Sequence, residues 1–218
     1  MAKPTRSIAQ RLLDAELAIN NSLANPDILT AVTAFGYTQA NLEAARSLYQ
    51  ETRELVEIQR KEYGEQFEAT QTVQKAWDAA ALAYSAALKI ARIVFRDNLT
   101  AQNSLGLNGK RKKSLSGWLD QARSFYNNML RSPEFIAAML PYSYTQAKLE
   151  AEAALVQAVA TASELQDNER GEAQEATQLR DAKLDELDQW LADYKKIAEI
   201  ALSDSPQKME QLGWVVPS

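Results

Sequence analysis

Gly64-Glu65-Gln66-Phe67-Glu68-Ala69-Thr70-Gln71 recurs as Gly171-Glu172-Ala173-Gln174-Glu175-Ala176-Thr177-Gln178, 107 positions further on. The same offset carries Tyr37-Thr38-Gln39-Ala40 onto Tyr144-Thr145-Gln146-Ala147, and Asn20-Asn21 onto Asn127-Asn128. It carries Pro26 onto Pro133 and Leu105-Gly106 onto Leu212-Gly213. No gap is needed, and roughly a third of aligned positions are identical, which chance does not sustain over such a length. The chain is a tandem duplication, with copies at 1–107 and 108–218.

Composition says what each copy is made of. Alanine, leucine, glutamate and glutamine dominate, while glycine and proline number 7 and 6 in 218 residues. These side chains lose little rotamer freedom on a helix, so the expected fold is all-α. The apolar fraction of 46% and charged fraction of 24% suit a water-facing protein with a sizeable core, and the net charge of −5 argues against a nucleic-acid partner. Histidine and cysteine are both absent. That removes imidazole acid–base chemistry, thiol nucleophiles, disulfides and the Glu-x-x-His di-iron site of helical bundles.

The elements of one copy are expected in the other. Ser7 and Ser114 suit N-caps of a first helix, which runs to about Ala24 in the first copy. Asn25-Pro26 and Ser132-Pro133 open short second helices, Asp27 to Phe35 and Glu134 to Tyr142. Gly36 suits a left-handed C-terminal position, and Ser143 in its place says the requirement is not strict. Thr38 and Thr145 then cap the main element. Apolar or small residues follow in one heptad phase from Leu42 through Val56, Tyr63, Thr70, Trp77 and Tyr84 to Val94. The second copy keeps the phase from Leu149 through Val156, Leu184, Leu191 and Tyr194 to Ala201. Short closing segments end at Gly106 and Gly213, and Leu107 to Lys113 links the copies through an Asn108-Gly109 turn.

Gly64 and Gly171 leave two readings. One is a helical hairpin that turns at each glycine. The other is a single helix of about 90 Å, at about 1.5 Å per residue, crossing its twin near the glycines. No capping residue follows Gly64 before Thr70, and the heptad phase survives the glycine. Both facts favour the continuous helix, which would need a close backbone approach to justify a mid-helix glycine. Either way the architecture expected is an elongated antiparallel helical bundle with pseudo-twofold symmetry. The copies are expected to share one core as a single structural domain.

Polar residues are retained between the copies at this centre, where neighbouring apolar ones are not. Gln59, Gly64, Thr70 and Gln71, with Gln166, Gly171, Thr177 and Gln178, read as a polar layer by which one copy registers on the other. Glu65, Glu68, Glu172 and Glu175 are the candidate metal ligands, since carboxylate oxygens suit Mg²⁺, Mn²⁺ or Ca²⁺. Lys110-Arg111-Lys112-Lys113, with Lys3 and Arg6 as a thinner counterpart, reads first as a solvated linker. Its second reading is a contact with an anionic membrane surface. Trp77, Trp118, Trp190 and Trp214 read as core anchors.

The stretch Gly171 to Thr177 and the closing segment Pro206 to Ser218 resemble those of uncharacterised bacterial two-repeat all-helical proteins, a likeness that implies this architecture and no activity. No phosphate-binding or nucleophile motif is present, and no catalytic residue or cofactor is expected. No leader or spanning segment is read, so cytoplasm is the expected compartment. The expected function is a non-enzymatic helical scaffold or protein-interaction module, through a protein partner or self-association. The alternatives are a peripheral membrane or pore-forming helical protein, and a metal- or small-ligand-binding bundle.

Overall fold

The computed structural model describes residues 6–214; Lys3 and the stretch from 215 to Ser218 lie outside the described residues. Every element is helical: α1 (Ile8–Ala24), α2 (Pro26–Thr33), α3 (Gln39–Val94) and α4 (Leu99–Ser104) in the first copy. The second copy has α5 (Leu115–Arg131), α6 (Pro133–Met139), a 3₁₀ turn (Leu140–Tyr142), α7 (Gln146–Ala201) and α8 (Pro206–Gln211). The caps lie where the side-chain chemistry places them. Ser7 accepts from Gln10 N and Ser114 from Gly117 N, and Asn25 accepts from the Asp27 and Ile28 amides. Thr38 Oγ1 accepts from Asn41 N at 3.4 Å and Thr145 Oγ1 from Lys148 N at 3.2 Å.

α3 and α7 are each 56 residues long and run through their glycines without a break. The hairpin reading is therefore excluded, but so is the reason offered for the glycine. A Cβ placed on Gly64 or Gly171 would meet nothing within 4 Å, so no backbone approaches there. The heptad phase is buried on both sides of the glycine, at Leu42, Val56, Val73, Ala80 and Tyr84, but not at the centre, where Tyr63 is 65% exposed and Thr70 is exposed too.

Gly36 and Ser143 correct the sequence reading at the α2–α3 and α6–α7 junctions. Gly36 has φ 90° and Ser143 has φ 63°, ψ 22°. The left-handed turn is required in both copies, and the second tolerates a serine at a steric cost of about 1 kcal/mol.

The chain divides into two compact units, residues 1–63 with 172–218, and residues 64–171. The first unit takes α1, α2 and the start of α3 from copy one, and the end of α7 with α8 from copy two. The second takes the end of α3 with α4 from copy one, and α5, α6 and the start of α7 from copy two. Each unit thus holds the same set of elements with the copies exchanged. In the first, Tyr37 packs on Tyr194 and Glu51 pairs with Lys183, so α3 and α7 run antiparallel.

Each unit has its own apolar cluster fed by both copies. In the first unit, Ala15, Ala18, Ile19, Leu42, Leu187 and Tyr194 are fully enclosed. In the second, Ala80, Ala87, Ala122, Phe125, Tyr126 and Leu149 are. Position for position, Ala18 and Ile19 correspond to Phe125 and Tyr126, while Tyr194 corresponds to Ala87. At these positions the aromatic side chain comes from α7 in the first unit and from α5 in the second, so both interiors stay filled although few residues match. Trp118 and Trp214 are buried at 7% and 9% exposure, and Trp77 and Trp190 are half-buried against the clusters. Trp190 stacks on Tyr194 at 5.0 Å and 17°.

Candidate functional site

Along the second unit's part of the polar centre, Gln166 on α7 donates to Thr70 Oγ1 on α3 at 3.0 Å, and Thr70 itself donates to the Gln66 carbonyl at 2.9 Å. The equivalent pair in the first unit is Gln59 and Thr177. There Thr177 donates to the Ala173 carbonyl at 2.8 Å, and no hydrogen bond joins it to Gln59 among the described residues. Gln71 and Gln178 are exposed, as are Gly64 and Gly171. The small side chains Ala162, Ala173 and Ala176 supply most of the burial nearby. The retained residues therefore divide: one pair makes a direct contact, and the others face solvent or their own helix.

The carboxylate candidates divide as well. Glu65 and Glu169 of the second unit bring carboxylate oxygens within 4.8 Å of one another, and each has a further electrostatic or hydrogen-bonding neighbour. Glu68 lies with them around a shallow pocket of about 260 Å³ that Leu165 and Ala162 also line. Glu172 and Glu175 are exposed on the α7 segment of the first unit. Sequence spacing overlooked Glu169 as the neighbour of Glu65. Glu62, one turn before Glu65, is largely buried, with Oε1 3.4 Å from Lys61 Nζ and Oε2 without a hydrogen-bond partner among the described residues.

The basic linker is not a uniformly solvated run. Arg111 donates to the Tyr84 hydroxyl at 3.0 Å and to the carbonyls of Gly106 and Asn108 at 2.8 Å each. It fastens the linker to the aromatic cluster of the second unit. Lys112 is 3.8 Å from Asp120, whereas Lys110 and Lys113 are exposed.

A larger concavity lies in the first unit between α1 and α3, a groove of about 810 Å³. Its α3 wall is built from residues recurring at helical spacing: Arg46, Tyr49, Arg53, Glu57 and Ile58. Glu16 contributes from α1. Tyr49 is buried on the groove floor, and its hydroxyl is held above the usual phenol pKa by burial first and by its bond to Glu16 second, with Arg53 opposing. Glu57 pairs with Arg60 at 2.8 Å. Arg46 is half-buried, and its Nε is buried without a hydrogen-bond partner among the described residues. Nothing in the periodicity signalled this groove, because its floor lies on the same stripe as the core.

In the second unit, Tyr126 donates to Glu152 Oε2 at 2.9 Å inside the aromatic cluster. Burial raises the Glu152 pKa above the ordinary carboxylate value, with Tyr126 and Lys148 acting against it. Lys148 lies over the Tyr144 ring at 3.8 Å. This carboxylate is a structural member of the core, 8% exposed. No helix among the described residues is long and apolar enough to cross a membrane.

No family model matches this chain, and neither does any curated protein or solved structure.

Proposed function

We propose that the chain is a non-enzymatic helical scaffold that presents matched apolar positions from its two copies to a protein partner. One observation carries the reading. Ile93 and Ile200 are equivalent residues, 51% and 57% exposed, and two further equivalent pairs, Phe35 with Tyr142 and Ile58 with Leu165, are exposed to a similar degree. The core between them has exchanged Ala87 for Tyr194 and Ile19 for Tyr126. Exposed apolar side chains cost solubility and add nothing to packing, so their repetition at the same places supports a role in recognition. Equivalent exposed positions in two copies of one chain also suit a bivalent contact, whose strength gains from effective concentration.

Photo-crosslinking tests this. A benzoyl-phenylalanine at position 93 and, separately, at position 200 should capture the same protein from the native host. Ile93→Lys with Ile200→Lys should abolish co-purification of that protein while leaving the melting temperature within about 2 °C, as expected of exposed sites. Capture of unrelated proteins from the two positions, or co-purification that survives both lysines, removes the proposal.

A further inference from the structure

The half-buried arginines of this chain have acceptors, with one exception. Arg11 meets Asp185 and Asp188, Arg111 meets the Tyr84 hydroxyl and two carbonyls, and Arg180 meets Asp181. Arg46 Nε is buried without a hydrogen-bond partner among the described residues, as is the Nε of Arg11 and of Arg111, but Arg46 has no pairing through its other nitrogens to offset it, and it lines the 810 Å³ groove between α1 and α3 of the first unit. A guanidinium partly withdrawn from water without a hydrogen-bond acceptor carries an uncompensated desolvation cost.

The second copy supplies an internal control. Arg46, Tyr49 and Arg53 correspond to Ala153, Val156 and Ala160 on α7. The same helical face therefore packs without an arginine, a tyrosine or a second arginine. Architecture does not demand this set, and the first copy bears the cost of Arg46 for some other reason.

We propose that the groove binds a monoanionic organic carboxylate with an apolar body, its carboxylate on the Arg46 guanidinium and its body along Tyr49 toward Ile58. The charges around the groove select this class. Arg46 Nε is buried in the groove wall without a partner among the described residues, and a planar guanidinium matches a carboxylate through paired N–H donors. Glu57 is already paired with Arg60, and Glu16 and Glu54 balance Arg46 and Arg53, so the groove suits a single negative charge better than a polyanion such as a nucleotide or a diphosphate. The volume lies in the range of small-molecule sites, and Ile58 offers an exposed apolar wall at one end.

Sodium octanoate is the probe, titrated into the full chain by calorimetry and by heteronuclear NMR, with octan-1-ol and octylammonium as the uncharged and cationic controls. The expected result is saturable one-site binding of octanoate, with shifts at Arg46 and Tyr49, and none from either control. Arg46→Ala should weaken it about tenfold or more, the usual worth of a charge-assisted bidentate contact. That variant installs the residue that the second copy already carries at Ala153, so the helix is expected to fold, and an unchanged melting curve verifies this. A triple variant, Arg46→Ala, Tyr49→Val and Arg53→Ala, should bind no octanoate. Absence of saturable octanoate binding, equal binding of octan-1-ol, or undiminished binding by folded Arg46→Ala overturns the proposal. None of these outcomes bears on the crosslinking at positions 93 and 200.

Discussion

Tyr126 donates its hydroxyl to Glu152 Oε2 at 2.9 Å, and the equivalent positions in the other copy are Ile19 and Ala45, which need no such bond. A carboxylate has entered the second unit's core together with its donor. Removing the donor alone leaves the carboxylate buried and short of a partner. Tyr126→Phe should therefore destabilise the chain by about 1.5–3 kcal/mol, measured by urea unfolding. A loss below about 0.5 kcal/mol would show that water replaces the hydroxyl freely.

The same carboxylate makes stability depend on pH, and the sign follows from its raised pKa. The folded state holds the Glu152 proton more tightly than the unfolded chain does. Its contribution is complete below the ordinary value of 4.5 and is lost as pH rises through the folded-state pKa. Glu152→Gln keeps an acceptor for Tyr126 and cannot ionise. The variant should gain on wild type progressively as pH rises above 4.5, with the two curves closest at acid pH. Parallel curves across that window would place Glu152 ionisation outside the folding equilibrium.

Tyr194 and Ala87 make the volume exchange testable. Tyr194→Ala gives the first unit the alanine that Ala87 places in the second unit, without the second unit's compensation, and a cost of about 3–5 kcal/mol is expected for the cavity. Adding Ala18→Phe and Ile19→Tyr imports the aromatic pair that fills the second unit at Phe125 and Tyr126. The combination should recover at least about 1 kcal/mol over the sum of the separate effects, read from a thermodynamic cycle. Strict additivity would mean that these positions do not share one space.

Ser143 occupies a left-handed conformation at φ 63°, where Gly36 sits in the first copy. Ser143→Gly should stabilise by about 0.5–1 kcal/mol, raising Tm by about 2–4 °C for a chain of this length. Gly36→Ser should cost a similar amount. Calorimetric scans of both variants decide it, and a Ser143→Gly that melts lower than wild type would contradict the strain argument.

What the sequence disclosed, and what it concealed, follows from which signals are local. Caps at Ser7, Asn25, Thr38, Ser114 and Thr145 are read from one side chain and the amides beside it, and the long helices follow from apolar spacing. The duplication itself needs no geometry. The exchange of Ala87 with Tyr194 carries no signal in the sequence, because its meaning depends on Ala18 and Ile19, far away in the chain. Arg111 looked like one charge among four, and its three bonds depend on where Tyr84 and the linker carbonyls fall. The groove at Arg46 was hidden for the same reason: an unpaired guanidinium is a statement about absent neighbours, which spacing does not give.

The retained glycines offer the last test. Gly64 and Gly171 sit inside continuous helices, exposed, with open space where a Cβ would stand. Close packing therefore does not explain them. A mid-helix glycine costs about 0.5–1 kcal/mol relative to alanine through the freedom it loses on folding. Gly64→Ala and Gly171→Ala should each stabilise by that amount, and the double variant by about their sum if the sites are independent. Thermal and urea unfolding of the three variants measures this. Destabilisation by either alanine would show that a neighbour approaches that glycine in solution. The stabilised outcome would mean that both copies keep a costly residue that folding does not need.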